Sequence, residues 1–432
     1  MFITKNAGVN EKGKLSFGGI DTVELAEKYA TPLYVVTLDG VKESCREFIK
    51  ALNLHYEGNG KILYASKANC NVQMCATVAN EGLGIDVVSG GELYTALKAG
   101  VAAENIFFHG NNKTNSELEY AIDSNVGRIF ADNFDEIEYI NELAKEKNKK
   151  VNILIRVNPG IDANTHDYIK TGNVDSKFGF SIQLGDATRA VLLTLSCENV
   201  NLCGIDCHIG SQVFERQPFI DEARVLVEFL ASLRELTGVT LKELNLGGGF
   251  GVQYKPDDDP IDPDIIIKTA TDSVKDACKT HDFPLPYLMF EPGRAIVANN
   301  GLTLYTVGNV KEIAGVRNYV QINGGMFDNP RHALYGAKYE MCVANRASLK
   351  RDYVCAVAGK CCESGDLIDD EVNIQNPNRG DTLAVFTTGA YNYSMASNYN
   401  RNPRPATVFI DNGIDRLGIK RETYEDLVRN DI

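Results

Sequence analysis

The chain has 432 residues, 44% of them hydrophobic and 24% charged, with a formal net charge of -14 at pH 7. That length suffices for a core burying roughly three quarters of the unfolded surface, and for two domains. The acidic excess, spread along the chain without a basic stripe, excludes a general phosphate-backbone binder, so no nucleic-acid partner is expected.

No run approaches the ~18 apolar residues of a membrane span, and the opening MFITKNAGVNEKGKL has no apolar signal region, which makes a cytoplasmic protein without membrane contact the expectation. The 11 cysteines show no repeated CxxC spacing. They fit reduced, mostly buried thiols better than a disulfide framework or a zinc site, and Cys203 and Cys207 are expected to pack in the core.

In chain order, TPLYVVT at 31–37 alternates like a strand, and its place ahead of everything else suggests pairing with a later β region. From residue 61 one phrase recurs: an apolar run rich in Val, Ile, Leu and Phe, a polar or Gly-rich stop, then a stretch of helical periodicity. The strand candidates are KILYASK (61–67), GIDVVS (84–89), NIFFHG (105–110), GRIFAD (127–132), VNILIRVNP (151–159), LCGIDCHIG (202–210), ELNLGGGFG (243–251) and YLMFEPGR (287–294). Between them, GELYTALKAG and NFDEIEYINELAKEK repeat apolar residues every three to four positions, as crossover helices do. Such alternation predicts an α/β fold, a (β/α)8 TIM-like barrel, with an insertion after the fifth strand. After residue 300, GLTLYTVGNV, YVQINGG, DYVCAVAGKCCE, DTLAVFTTGAY and PATVFIDNG are short β runs between Gly, Asn, Asp and Pro turns. They predict an all-β C-terminal domain, a sandwich or barrel. The expected division is 1–38 as a segment pairing with the β domain, 39–300 as the barrel and 301–432 as the β domain.

Chemistry in such a barrel gathers at the C-terminal strand ends, with phosphate held after strands seven and eight. Strand seven ends in Gly247-Gly248-Gly249-Phe250-Gly251 and strand eight in Glu291-Pro292-Gly293-Arg294. The glycines read either as a tight turn or as a phosphate cradle, and their position favours the cradle. Lys67, ending the first strand, is either a solvated charge or a desolvated amine nucleophile. A phosphate site facing a lysine suits pyridoxal 5'-phosphate (PLP), whose aldehyde condenses with an amine and whose ring nitrogen wants a charged partner. Glu291 is placed for that, though alone it reads equally as a loop charge. His208 has the ring-stacking reading beside the bland one of a core histidine, with Ser211 near the phosphate.

YASKAN (64–69), DVVSGGEL (86–93), HIGSQ (208–212), GGGFG (247–251), EPGR (291–294), CESGD (362–366) and GAYNYSMASNYN (389–400) resemble the diaminopimelate decarboxylase family, in the alanine racemase-like, fold type III class of PLP enzymes. The likeness runs from about residue 30 to the end and takes in RETYEDL near the C-terminus. It implies a PLP-dependent carboxy-lyase that converts meso-2,6-diaminopimelate to L-lysine and CO2, the last step of lysine biosynthesis. By position, Lys67 would anchor PLP, His208 stack on its ring and Glu291 pair with its nitrogen. Ser211, Gly248, Gly249, Gly293 and Tyr391 would surround the phosphate, with Asp86 and Arg294 in the cofactor's neighbourhood.

The resemblance further implies that Arg294, Arg331, Tyr335 and Tyr391 bind substrate. Cys362 and Glu363 would reach in from the second subunit of a homodimer with shared active sites, with Lys67 or Cys362 as the catalytic proton donor. Two departures stand out: His332 where the family pattern has proline, and Lys360-Cys361 in place of Gly-Pro. The first sits beside Arg331. The rival readings are a sister decarboxylase of ornithine, arginine or carboxynorspermidine, and a PLP-binding protein without catalysis.

Overall fold

A computed structural model describes residues 2–160 and 176–432. Part of the insertion expected after the fifth barrel strand lies outside the described residues. The chain divides into two compact units, one of residues 44–251 and 260–293, the other of residues 1–43, 252–259 and 294–432.

The first unit is a closed parallel barrel. Its strands are Gly60–Ala65, Gly84–Val87, Ile106–Phe108, Arg128–Ala131, Val151–Asn158, Val200–Asp206, Glu243–Asn245 and Tyr287–Phe290. The eighth strand pairs in parallel with the first, Met289 against Lys61, and the ring is complete. Each run predicted from residue 61 onward is a strand, and most end earlier than the apolar pattern suggests. The polar or glycine tail of each run turns out to be the loop at the strand's C-terminal end, where side chains leave the barrel wall. Leu63, Phe107, Phe130, Leu154 and Met289, from five strands, meet as a buried cluster inside the barrel.

The crossover helices start where the sequence supplies a cap. Ser89 accepts from the Glu92 N–H at 3.2 Å while Glu92 Oε2 accepts from the Val88 N–H at 2.7 Å, which gives the SGGEL segment a structural role at the start of helix Gly90–Lys98. Asn133 likewise caps helix Phe134–Glu146.

The second unit is built on a nine-stranded sheet. Its long strand, Gly301–Ile313, pairs antiparallel with Arg317–Ile322 at one end and with both Thr382–Phe386 and Leu33–Thr37 at the other. Leu33–Thr37 also pairs in parallel with Ala406–Asp411. The strand anticipated at 31–37 thus lies inside this sheet, buried throughout. Leu15, Phe17, Leu33, Val35, Leu302, Leu304, Phe386, Val408 and Ile410 share its core. Three strands of this sheet were not anticipated, Leu367–Ile374, Met341–Val343 and Ile414–Ile419, nor was the small separate sheet of Ala7–Val9, Leu15–Phe17 and Ile20–Asp21. LIDDEVNI carries three acidic residues in a row, so its apolar face alternates too sparsely to stand out.

Candidate active site

The barrel strand ends gather a set of ionisable groups. Asp86 lies in the second strand, His109 directly follows the third, Arg156 lies in the fifth, Asp206 and Asn245 end the sixth and seventh, and Glu291 directly follows the eighth. Asp86, His109, Asp206, Asn245 and Glu291 are all buried. Glu291 Oε1 accepts from Asn245 Nδ2 at 2.5 Å and lies 2.7 Å from His109 Nε2. Asn245 also accepts, at Oδ1, from the Gly247 N–H at 3.0 Å, so it ties the glycine turn to the carboxylate. Burial pushes Glu291 toward protonation, but the adjacent His109 charge and the bond from Asn245 hold it ionised, at about 2. Asp86 and Asp206 lack such bonds: burial, with neighbouring carboxylates adding to it against the pull of His109, raises each to about 7.

His208 lies in the loop after the sixth strand. Burial and the positive charge of Lys67 and Arg156 lower it to about 3, so it is a neutral ring at physiological pH. Its Nδ1 accepts from the Gly248 N–H at 3.1 Å, which assigns its proton to Nε2 and fixes the ring plane against the glycine turn.

The first strand ends at Ala65, two residues before the sequence reading placed its end, and Lys67 sits in the short 3-10 turn Ser66–Ala68. The lysine is exposed in the protein by itself. The ammonium still acts electrostatically on both Asp86 and His208, so the structure brings Lys67, Asp86, His208, Gly248 and Glu291 together.

The turns beside them leave no room for side chains. A Cβ on Gly248 would lie 2.5 Å from the Glu291 carbonyl oxygen, and one on Gly293 would lie 2.9 Å from both the Cβ and the carbonyl oxygen of Ala65. Gly249 and Ser211 stand in the same group of loops, where Val213 N–H donates to the Gly249 carbonyl at 2.9 Å. An ionised carboxylate, a neutral oriented imidazole, an accessible lysine and side-chain-free turns form a donor set that fits PLP.

In the β-rich unit, the buried Arg294 and Arg331 guanidiniums lie over the Tyr391 ring, at 4.8 and 5.3 Å from its centroid. Arg331 also lies 5.3 Å from the Tyr335 ring, and Arg294 donates to the Tyr254 hydroxyl at 2.6 Å. Buried guanidiniums on aromatic faces are suited to carboxylate or phosphate. His332, the departure beside Arg331, lies in the five-residue helix Arg331–Tyr335 and contacts the Ala337 carbonyl at 2.9 Å through Nδ1.

Cys362 and Glu363 are exposed: the Cys362 N–H donates to Asn400 Oδ1, and the Glu363 carboxylate accepts from the Tyr399 hydroxyl and the Gly365 N–H, all within their own unit. The Asp of the CESGD segment is structural: Asp366, buried, accepts from the Met326 and Cys361 N–H groups at 2.5 and 2.6 Å. Lys360 and Cys361 belong to this loop, and the Lys360 N–H donates to Gly324 at 2.9 Å. Cys207 is buried and Cys203 half-buried, as core packing requires, and all 11 cysteines are free thiols.

Sequence reasoning missed His109, Arg156, Asp206, Asn245 and Tyr254. Most of these are polar residues at or just beyond the end of a strand's apolar run, the signal a barrel reserves for function.

Residues 38–298 match the family described as the pyridoxal binding domain of pyridoxal-dependent decarboxylases. Over 432 residues the chain is 46% identical to the diaminopimelate decarboxylase of Bacillus subtilis, covering 100% of this chain and 98% of that protein. It is 47% identical to that of Bacillus methanolicus over 422 residues, 98% of each. The crystal structure of diaminopimelate decarboxylase from Methanocaldococcus jannaschii in complex with L-lysine superposes with a TM-score of 0.92 at 36% identity, covering 100% of this chain and 99% of that one. With full-length identity at this level and a strand-end site fitted to PLP, the chain belongs to the diaminopimelate decarboxylases of the pyridoxal-dependent decarboxylase family.

Proposed function

We propose that this protein uses PLP to decarboxylate meso-2,6-diaminopimelate to L-lysine and CO2, the last step of lysine biosynthesis, as a cytoplasmic homodimer with shared active sites. The full-length identity to enzymes named diaminopimelate decarboxylase carries this reading. Among the described residues no helix is long and apolar enough to cross a membrane.

When bound, PLP supplies an electron-withdrawing ring that takes up the electron pair left behind as CO2 departs. The chain supplies the rest. Lys67 Nζ would hold the cofactor through its aldehyde. The ionised Glu291 carboxylate would be the partner that keeps the ring nitrogen protonated, and the neutral His208 ring would face the cofactor without adding charge. By the family resemblance, Ser211, Gly248, Gly249, Gly293 and Tyr391 would receive the phosphate, with Asp86 in the cofactor's neighbourhood. Arg294, Arg331 and Tyr335 receive the substrate's charged ends. Glu363 of a second subunit takes the distal ammonium, and a proton returns to the α-carbon from Lys67 Nζ or the Cys362 thiol.

The test is to incubate purified protein and PLP with meso-diaminopimelate, ornithine or arginine, and to measure CO2 and amine product. Release from meso-diaminopimelate, lost in Lys67→Ala, is expected. Release from ornithine or arginine instead would make it a sister enzyme, and a Lys67-dependent cofactor absorbance without release from any substrate would make it a binding protein.

A further inference from the structure

His109 follows the third barrel strand, 3% exposed, with its ring stacked on Phe130 at 3.6 Å and 17°. Three carboxylates from three other strands face it. Glu291 Oε1 lies 2.7 Å and Asp86 Oδ1 3.9 Å from Nε2, and Asp206 Oδ2 lies 3.8 Å from Nδ1. The cations around this group are Arg156, 3.9 Å beyond Asp206, and Lys67, which acts on Asp86; His208 beside Glu291 is neutral.

Both nitrogens of the ring thus lie within 4 Å of carboxylate oxygens, Nε2 closest to Glu291. A neutral imidazole has one N–H and would turn a lone pair toward one of them, whereas an imidazolium offers a proton to each side. Burial works against that charge, yet the three carboxylates outweigh it and raise His109 to about 9. The ring is also held mechanically. Lys113 Nζ donates at 2.7 Å to the carbonyls of Gly110, the residue after His109, and of Phe130, on which His109 stacks.

We infer that His109 is a positioning residue: as an imidazolium it pins the Glu291 carboxylate, ionised and aimed, so that Glu291 in turn keeps the cofactor's ring nitrogen protonated. This rests on the reading that Glu291 faces that nitrogen. With Oε1 engaged by Asn245 and His109, Oε2 is the oxygen left to meet the ring. Without the imidazolium, a buried Glu291 would take up a proton itself, and the ring would lose its counter-charge and with it much of its capacity to accept electrons.

The test begins with cofactor-free native protein labelled with 15N at its 6 histidines. One imidazolium persisting at pH 8 is expected, absent in His109→Gln; six neutral rings at pH 8 would overturn the inference without need of any variant. With ring-15N-labelled PLP bound, the native ring nitrogen should stay protonated from pH 6 to 9. In H109Q, and in H109F, which keeps the stacking, its midpoint should fall by at least one pH unit, with kcat down at least tenfold and KM within threefold. A ring that stays protonated to pH 9 in H109Q, with kcat within threefold of native, would overturn the inference. Failure of the underlying reading looks different: the imidazolium would persist, but PLP would bind the native protein no better than Lys67→Ala.

Discussion

The buried Lys113 ammonium meets the Glu136 carboxylate at 2.7 Å, the two side chains being 1% and 3% exposed. A pair this dry contributes little net stability over an apolar one, but losing one partner strands a charge, at a cost of about 3–5 kcal/mol. Lys113→Met should therefore lower the unfolding free energy by about that much in urea titrations, the more so because two carbonyls lose their donor. The double variant Lys113→Met/Glu136→Leu should regain a large part of it. A single variant within about 1 kcal/mol of native would contradict the burial of the pair.

Gly293→Ala would place a methyl 2.9 Å from the backbone oxygen of Ala65. Relief requires backbone movement at the start of the lysine turn, for which overpacking costs of about 1–3 kcal/mol are typical. The expected result is a lowered melting temperature together with weakened PLP binding, followed by fluorescence titration. Unchanged values for both would show that the turn yields freely.

The pH dependence of cofactor-free protein carries the signature of His109. Its folded-state value, about 9, lies above the ordinary 6.5, so its contribution to stability is complete below pH 6.5 and is lost as pH rises through 9. Asp86 and Asp206, raised to about 7, change stability in the same sense at lower pH. Urea midpoints should fall between pH 6.5 and 9, by up to about 1.4 kcal/mol per pH unit from His109 alone, and H109Q should flatten that limb. A slope identical in both proteins would count against the assignment.

Arg331→Gln removes a buried charged donor and should cost about 1.5–3 kcal/mol, or roughly 10- to 150-fold in kcat/KM for meso-diaminopimelate, with PLP affinity within about threefold. Glu363→Gln should likewise harm turnover far more than PLP binding. Sharing of the site between subunits is tested by mixing: Lys67→Ala and Glu363→Gln, each nearly inactive, should on subunit exchange recover about a quarter of native activity, since half the dimers carry one intact site. No recovery, with exchange verified, would confine the site to one chain.

The barrel was legible because each buried parallel strand is a nearly unbroken apolar run closed by glycine or a polar residue, as in GIDVVS and YLMFEPGR. Lys67, His208 and Glu291 were legible for the related reason that they stand at those closures. His109 stands at one as well, yet in NIFFHG it is a lone histidine whose meaning comes from Glu291 and Asp206, far away in sequence and adjacent in space. Asn245 was hidden inside an apolar run, where a side chain bridging Gly247 and Glu291 leaves no periodic trace. Lys113 and Glu136 carry no mark in the sequence, because burial of a polar pair depends on what packs over it.

The six members of the strand-end network, Asp86, His109, Arg156, Asp206, Asn245 and Glu291, are carried by six different barrel strands. No strand brings its own counter-charge, and Asp86 and Glu291 are separated by about 200 residues, a costly loop to close early in folding. A chain stalled one strand short would hold unmatched charges that only water can accommodate. Docking of the eighth strand on the first is then the step that buries Glu291 and brings it against His109 and Asn245, which keep it ionised once water is gone.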